Sequence, residues 1–280
     1  MNPRRSPTAT PHAARTVQRR RTGVAHEERD DLAVEEPLEI RVEGRAVAVT
    51  MRTPDHDEEL AAGFLLTEGV VARRADIGAI TRAGAKQGGG YEPNIVEVQL
   101  ARPEAVDFAR LTRHVFTASS CGLCGKATIA AVQAKHAALG PDEGPRVLAA
   151  TLAKLPTVLA AAQETFHRTG GLHAAGLFSA EGRLLVIRED VGRHNAVDKA
   201  IGHALLSGRI DPAEVVLLVS GRVAFEIVQK ALASRIAFIA AISAPTSLAV
   251  DFARSSGQTL VGFLRDGRMN VYAGGDRIRE

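Results

Sequence analysis

The sequence is poor in sulfur and aromatic side chains. Its 280 residues include two cysteines, no tryptophan and 4% aromatic residues in total. Proteins that bind single-stranded nucleic acid stack the bases on several aromatic rings, so this composition argues against a nucleic-acid partner. The chain also lacks an apolar run long enough to span a bilayer and lacks the apolar segment of a secretion signal. We therefore expect a cytoplasmic protein with no membrane association, whose two thiols stay reduced.

The positive charge of the chain is concentrated at its start. The first 22 residues contain six arginines and no acid, while the whole chain has a formal net charge of +3, which leaves −3 for the rest. This segment is rich in Pro, Thr, Ala and Arg and has no apolar stretch, a composition typical of disorder. The sequence predicts a disordered, Arg-rich tail over residues 1–33, followed by a mildly acidic globular body.

Residues 34–115 are predicted to form a small α+β domain. Apolar and polar residues alternate on both sides of Gly44-Arg45, which predicts a β-hairpin. Three consecutive acids from Asp57 then open an apolar segment, as expected at the start of a helix. A run of three glycines at 88–90 predicts a mobile loop. The predicted elements are strands at 37–43, 46–51, 77–81 and 95–100, and a helix at 57–69.

Residues 116–280 are predicted to hold a cysteine loop and an α/β domain. Its short strands are almost wholly apolar and alternate with helix-like stretches, a pattern typical of a largely parallel sheet covered on both faces. In such sheets ligands bind at the carboxyl ends of the strands. The predicted strands are at 184–187, 215–219, 236–242 and 260–263, and the predicted helices are at 156–170, 195–206, 223–234 and 247–256.

Both cysteines lie in one short segment, Ser119-Ser-Cys-Gly-Leu-Cys-Gly-Lys126. The thiolate is the nucleophilic form of cysteine. A helix predicted to begin near Cys124, together with Lys126, would stabilise a thiolate there. The C-x-x-C spacing leaves three functions open: a redox dithiol, half of a zinc site, or a carrier cysteine with an auxiliary neighbour.

The residues that follow the predicted strands are small, hydroxylic or rich in arginine. Backbone amides at helix starts and arginine side chains are common phosphate ligands, so these ends predict a phosphorylated or nucleotide-bearing ligand. A second interpretation makes Ser220, Asn195 and Thr246 plain helix caps. The charged residues of this region, Asp190, Arg193, Asp198 and Lys199, could likewise form a solvated ion-pair cluster. For His194 the sequence leaves open a proton carrier near the thiol or a capping or core residue.

Several longer motifs resemble the FdhD family, the formate dehydrogenase accessory proteins that act as sulfur carriers. The motifs are Ser-Cys-Gly-Leu-Cys-Gly, Thr169-Gly-Gly-Leu-His-Ala-Ala175, Glu189-Asp-Val-Gly-Arg-His-Asn-Ala-Val-Asp-Lys199, Ser220-Gly-Arg222 and Ser243-Ala-Pro-Thr-Ser-Leu-Ala-Val250. The likeness runs from about residue 34 to 278 and excludes the tail. One departure is Val223-Ala-Phe225, where the family pattern has Ile-Ser-Phe before Glu226.

The resemblance implies a fold, a reaction and partners. It implies a homodimer whose C-terminal domain has a three-layer, cytidine deaminase-like fold. It also implies that a cysteine desulfurase passes sulfur to the protein. The protein would then transfer that sulfur to the molybdenum cofactor, bis-molybdopterin guanine dinucleotide, before the cofactor enters formate dehydrogenase. The resemblance maps the persulfide onto Cys121. Cys124, closer to the predicted helix start, is expected to be auxiliary, either tuning the Cys121 thiolate or resolving the persulfide.

The resemblance also implies a cofactor-binding segment near the C-terminus, made of Phe263, Leu264, Arg265, Asp266, Gly267 and Arg268. The residues at the other strand ends, Asp190, Arg193, His194, Ser220 and Arg222, are predicted to complete this site. The arginines suit the phosphates, and Asp190 or Asp266 could accept from a guanine edge. Guanine nucleotides are the expected mimics of the cofactor, and no metal site is predicted.

Three other functions remain open on the sequence. A zinc nucleobase deaminase would have H-x-E followed by P-C-x-x-C, and here no H-x-E precedes the cysteines and Ser120 replaces the proline. A thioredoxin-like thiol-disulfide oxidoreductase fits C-x-x-C, but its motif normally follows an early strand of a βαβ unit. A non-catalytic, cofactor-binding chaperone for a dehydrogenase would need partner contacts and no sulfur chemistry.

Overall fold

The computed structural model describes residues 10–82, 94–105 and 136–280. The N-terminal half contains a four-stranded sheet of order β4-β3-β6-β5 with one helix packed on it. Its elements are β3 (Glu36–Val42), β4 (Arg45–Arg52), α1 (Asp57–Thr67), β5 (Ile77–Arg82) and β6 (Ile95–Leu100). The predicted hairpin, helix and two further strands are therefore confirmed. The predicted mobile loop at 88–90 lies outside the described residues.

The predicted disordered tail is wrong for residues 12–33, which form an antiparallel hairpin of β1 (His12–Arg21) and β2 (Val24–Ala33). Acids at the far side of the hairpin balance the arginines of β1, because the register places Arg15 opposite Asp30. Arg19 makes ion pairs with Glu28 at 2.5 Å and Asp30 at 3.6 Å. Such exposed pairs contribute about 1 kcal/mol or less each, and here they act together across one ladder.

The C-terminal half is built on a six-stranded sheet of order β13-β12-β11-β10-β8-β9. Three helices cover one face and two short helices cover the other. The strands are β8 (His173–Phe178), β9 (Leu184–Asp190), β10 (Val216–Val219), β11 (Phe238–Ala241), β12 (Thr259–Arg265) and β13 (Arg268–Ala273). The helices on the first face are α5 (Arg193–Ser207), α6 (Phe225–Ala233) and α7 (Ser247–Ser255), and those on the second are α2 (Ala149–Leu152) and α3 (Leu155–Ala161). A short helix α4 (Glu164–Thr169) and a two-stranded pair, β7 (Val147–Leu148) with β14 (Ile278–Arg279), complete the described α-helices and strands.

The sheet is mixed, so the prediction of a largely parallel sheet is wrong. Only β10–β11 and β11–β12 pair in parallel, while β8, β9 and β13 pair antiparallel. Two strands were not predicted because neither has the expected pattern. β8 contains three small residues in a row, and β13 mixes polar with apolar residues and has a single buried position. The alternation of apolar strands with helices is confirmed for β10, β11 and β12, which are connected through α6 and α7. Each of these three strands is buried on both faces.

One apolar core runs through both halves of the chain. It includes Leu38 and Val96 of the four-stranded sheet, Leu60 of α1, and Val197 and Leu217 of the C-terminal half. A second core lies on the opposite face of the six-stranded sheet, beneath α2 and α3. The chain is therefore a mixed α/β protein whose two halves share a core. The boundary predicted at 115/116 lies outside the described residues, and the finer cytidine deaminase-like description stays a prediction.

Helices α1 and α5 cross in direct backbone contact. A Cβ added to Gly63 would lie 1.8 Å from the carbonyl oxygen of Asp198, and one added to Gly202 would lie 1.8 Å from that of Glu59. Both positions therefore require glycine, because no side chain fits between the helices. Beside this crossing, Lys230 of α6 donates to Asp198 at 2.8 Å and to Thr67 at 2.9 Å. The expectation of a solvated cluster is wrong for Asp198, which is buried with its partners.

Two helix predictions need correction. The helix predicted over 156–170 is interrupted at residues 162–163, where α3 ends and α4 begins. The helix predicted to begin near Cys124 has apolar residues at helical spacing as far as Leu139, but the described residues 136–139 have no helical structure. In the described part of the chain, we find no helix with the length and apolar character needed to cross a membrane.

Candidate functional site

Four strand ends meet at one edge of the six-stranded sheet. β9, β10, β11 and β12 run in the same direction, because β9 and β10 each pair antiparallel with β8 and the other pairings are parallel. β8 runs the opposite way and begins at this edge with His173, opposite Asp190 in the register. The turn from β12 to β13 lies here too, where Arg265 pairs with Arg268. We call this the carboxyl edge, and it contains every predicted site residue that the structure describes.

Asp190 is not available to a ligand, so its assignment as a cofactor-binding residue is wrong. Its side chain is fully buried and pairs with Lys199 at 2.7 Å. Its two carboxylate oxygens also accept hydrogen bonds from the amides of Gly192 (2.8 Å) and Thr53 (3.1 Å) and from Asn195 Nδ2 (3.0 Å). Both oxygens are thus occupied by donors of the protein itself, which gives Asp190 a structural role. Lys199 is therefore also buried, and the predicted solvated cluster is wrong for both residues.

Arg193 and His194 open helix α5 at the carboxyl edge. Each has a buried nitrogen, Arg193 Nε and His194 Nε2, that finds no hydrogen-bond partner among the described residues. Burial, followed by the charges of Arg193 and Lys230, lowers the pKa of His194 to about 4. The imidazole is therefore neutral near pH 7. Unpartnered buried polar atoms are costly, so these two nitrogens mark a place where a polar ligand would gain hydrogen bonds.

His173 approaches this pair from the start of β8. A Cβ added to Gly221 would lie 3.1 Å from His173 Nδ1 and 3.7 Å from the Cβ of Arg193, so the glycine lets the three residues come together. Burial and the nearby charge of Arg193 lower the pKa of His173. In the sequence His173 lies within the motif Thr169–Ala175, and no site role was predicted for it. The structure places it within the candidate site.

A cleft of about 480 Å³ adjoins His173. Ser220 lies in its wall, where the hydroxyl accepts from the amide of Ala174 at 2.9 Å. No arginine or lysine is among the described lining residues, so the cleft suits an uncharged, planar group better than a phosphate. The lining residues are Gln163, Phe166, Gly170, Gly171, Leu172, His173, Ser220 and Ile242. The sequence missed Gln163 and Phe166, and the only signal near them was the Gly170-Gly171 pair.

The segment 263–268 divides into one buried residue and an exposed turn. Leu264 is fully buried in the second core, so its assignment to cofactor binding is wrong. Phe263 has a positive φ of 51°, donates its amide to Ser243 at 3.0 Å, and lies 5.7 Å below the guanidinium of Arg265. Asp266 and Gly267 have φ values of 52° and 70° and form a two-residue hairpin turn. The exposed residues are Arg265, Asp266, Gly267 and Arg268.

The site is therefore a row of cationic and polar groups beside an uncharged cleft. Arg222 is exposed after β10, and Arg265 and Arg268 lie at the end of β12. From β8 to β12 the row crosses three strand spacings, about 14 Å. Cys121 and Cys124 lie outside the described residues, so their predicted roles stay predictions.

Comparison with known proteins identifies the family. The sequence profile of the FdhD/NarQ family matches residues 33–279. The chain belongs to the FdhD/NarQ family. This confirms the resemblance drawn from the motifs and its extent along the chain.

Curated relatives of this FdhD/NarQ-family chain carry the name sulfur carrier protein FdhD. The chain is 52% identical to the one from Streptomyces avermitilis over 266 residues, covering 94% of each chain. It is also 52% identical to the one from Mycobacterium tuberculosis over 257 residues, covering 89% of this chain and 92% of the relative.

A solved structure resembles this FdhD/NarQ-family chain over nearly its whole length. The protein comes from Desulfotalea psychrophila and is described, provisionally, as a formate dehydrogenase accessory protein. It matches with a TM-score of 0.74 and 26% identity, covering 96% of this chain and all of that one. The mixed α/β architecture is therefore that of a solved FdhD-type protein.

Proposed function

We propose that this protein carries sulfur on Cys121 as a persulfide and delivers it to the molybdenum cofactor at the carboxyl edge. The sulfur comes from a cysteine desulfurase, and the substrate is bis-molybdopterin guanine dinucleotide destined for formate dehydrogenase. Family membership supports the sulfur-carrier role and the link to formate dehydrogenase. The observation that carries the binding part is the row of arginines beside an uncharged cleft at one sheet edge.

The chemical composition of the edge fits a guanine dinucleotide. Arg193 at the start of α5, together with Arg222, Arg265 and Arg268, offers positive charge to a diphosphate, and a helix N-terminus adds its dipole. The cleft beside His173 offers an aromatic face from Phe166 and amide groups from Gln163 to a planar ring. Asp266, which is exposed, remains the carboxylate predicted to accept from a guanine edge, whereas Asp190 is not.

The proposed sulfur transfer balances without a further reactant. The Cys121 thiolate attacks the terminal sulfur of the desulfurase persulfide, and the desulfurase cysteine leaves as a thiolate. On delivery the S–S bond of the Cys121 persulfide breaks and its electron pair stays on Cys121 Sγ as a thiolate. The reduced molybdenum substrate supplies the electron pair of the new bond to the transferred sulfur and is formally oxidised by two electrons. Cys124 is proposed to tune the Cys121 thiolate and is not consumed.

Mass spectrometry tests the carrier step directly. Incubation with a cysteine desulfurase and cysteine should add about 32 Da to the peptide that contains Cys121, the mass of one sulfur atom. Cys121→Ala should abolish the adduct and formate dehydrogenase maturation, whereas Cys124→Ala should keep most of both. Equal loss from the two variants would favour a dithiol oxidoreductase. Maturation by a chain that never acquires the adduct would favour a non-catalytic chaperone.

Binding of guanosine diphosphate tests the cofactor step. We expect wild-type protein to bind it and Arg222→Ala to bind it at least several-fold more weakly, because an exposed arginine at the edge loses a charge-assisted contact with phosphate. Arg146→Ala, on the loop before β7, is the matched control and should leave the affinity unchanged. The proposal also includes a cytoplasmic homodimer, which light scattering and cell fractionation can check.

A further inference from the structure

The last residues of β4 hold the turn that carries Arg193 and His194. We call residues 50–53 the β4 strap and residues 190–195 the β9–α5 turn. Thr50 Oγ1 donates to Asn195 Oδ1 at 3.2 Å, and Asn195 Nδ2 donates to the Met51 carbonyl at 2.8 Å. The strap consists of the last three residues of β4, in the four-stranded sheet, and Thr53 after them. The turn connects β9 of the six-stranded sheet to α5. The N-terminal half therefore contacts the candidate site through backbone and side-chain hydrogen bonds.

Thr53 forms hydrogen bonds through its amide, its hydroxyl and its carbonyl, two of them with the β9–α5 turn and one with Lys199, the ion-pair partner of Asp190. Its amide donates to Asp190 Oδ2 at 3.1 Å, its hydroxyl accepts from the Val191 amide at 3.1 Å, and its carbonyl accepts from Lys199 Nζ at 2.8 Å. The residue is 1% exposed, so water does not compete for these bonds. In such a setting, loss of one partner leaves a buried amide unsatisfied.

The β4 strap is itself held in one position. Arg52, next to Thr53, is buried and binds both oxygens of Asp57 at the start of α1, at 2.8 and 3.1 Å. Asp55 and His56 follow with φ values of 94° and 59°, which non-glycine residues seldom adopt. Two successive residues of this kind persist only where the surroundings fix the backbone. Thr53 is thus a fixed point against which the turn is set.

The turn continues directly from these bonds into Arg193 and His194. Val191, whose amide donates a hydrogen bond to the Thr53 hydroxyl, lies two residues before Arg193, and Asn195 directly follows His194. We infer that Thr53 is a positioning residue for nucleotide binding: through Val191 and Asp190 it sets the place of Arg193 and His194 at the carboxyl edge. This inference rests on the proposed binding of a guanine nucleotide there.

The test compares three variants by calorimetric titration with guanosine diphosphate. Thr53→Val removes the hydroxyl and keeps the shape of the side chain. We expect about a tenfold loss of affinity, since the half-buried Val191 amide loses its acceptor and the turn shifts. Thr53→Ser keeps the hydroxyl and should restore affinity to within about twofold of wild type. Thr259→Val is the matched control. Thr259 is also buried, with a hydroxyl that donates to Gly274 at 2.7 Å, but it lies at the start of β12, the opposite end of the sheet.

Thermal unfolding and sulfur loading separate positioning from general damage. Both valine variants should lower the melting temperature, whereas only Thr53→Val should weaken nucleotide binding. Loading of Cys121 by the desulfurase should be unchanged in all three variants. If Thr53→Val does not fold, Thr50→Val at a half-buried position replaces it, with an expected loss of about threefold.

The possible outcomes distinguish failure of the inference about Thr53 from failure of the proposed binding function. Wild-type affinity in folded Thr53→Val, or equal weakening by Thr259→Val, overturns the inference while the proposed function stands. Failure of Thr53→Ser to restore binding also overturns it, because a hydroxyl would then not be the group that acts. No binding by the wild-type protein overturns the proposed binding function and, with it, this inference.

Discussion

Lowering the pH should remove the part of the stability that depends on neutral His194. Its pKa lies at about 4 in the folded protein, against an ordinary value of 6.5. Above pH 6.5 both the folded and the unfolded ring are neutral, and His194 makes no contribution to the pH dependence. As the pH falls from 6.5 to 4, the unfolded chain binds a proton that the folded chain does not, so stability falls. At about 1.4 kcal/mol per pH unit, the full loss is about 3 kcal/mol.

Urea unfolding at a series of pH values between 7.5 and 4.5 measures this loss. His194→Gln removes the titrating group, so its free energy of unfolding should fall less steeply with pH than that of the wild type. The difference between the two slopes isolates His194 from His173 and His56, whose pKa values burial also lowers. His26→Gln, on the exposed hairpin, is the control and should keep the wild-type slope.

Parallel curves for wild type and His194→Gln would refute the reasoning, because a buried neutral imidazole must give the steeper slope. A variant that is less stable at every pH by the same amount would show only that the side chain packs well. The slope, and not the absolute stability, is therefore the decisive quantity.

Three further perturbations test the helix crossing, the buried ion pair and the N-terminal hairpin. Gly202→Ala should destabilise the protein by about 3 kcal/mol or more in chemical unfolding, because its Cβ would overlap the backbone of α1, whereas Gly275→Ala meets only a side chain at 3.6 Å and should change stability little. Lys199→Met should cost about 3–5 kcal/mol by leaving Asp190 buried without its counter-ion, and adding Asp190→Asn should restore part of the loss. Removal of residues 1–33 should change the unfolding free energy by only about 1 kcal/mol, since the hairpin is largely exposed; a large drop would mean that it is part of the folded core.

The central strands of the six-stranded sheet could be predicted because their own residues carry the signal. β10 and β11 are continuous apolar runs, and a strand buried on both faces can have no other composition. β8 has the weakest local signal, since His-Ala-Ala-Gly-Leu-Phe could belong to a loop, and its place between β9 and β10 follows only from the assembled sheet. The antiparallel pairings of β8 and of β13 together make the sheet mixed.

The hairpin of residues 12–33 shows that ion pairs between strands cannot be predicted from amino-acid composition alone. The arginines of β1 predict disorder when they are considered alone. The register sets Asp30 opposite Arg15, and Arg19 reaches Glu28 and Asp30 on the neighbouring strand, so attraction between the strands offsets the repulsion within one. A composition count over a window that ends at residue 22 contains the cations and omits their partners.

At the candidate site the sequence predicted the edge and misassigned two of its residues. Arg193, Ser220 and Arg222 lie at the ends of strands as the alternating pattern predicts. Asp190 differs because its partners, among them Thr53, come from a distant part of the chain. Leu264 differs because the bulge at Phe263 turns it into the core. Burial of this kind depends on tertiary contacts, which residue type and spacing do not contain.

The contact between Gly63 and Gly202 has a consequence for how motion could pass through the molecule. Two helices that touch main chain to main chain have no compressible layer between them, so α1 cannot slide along α5 by even the rise of one residue, about 1.5 Å, without steric overlap. The two sheets must then translate and rotate as a single solid. A spectroscopic label placed on β5, remote from the carboxyl edge, would consequently keep a constant distance to a second label on β13 whether or not nucleotide is present.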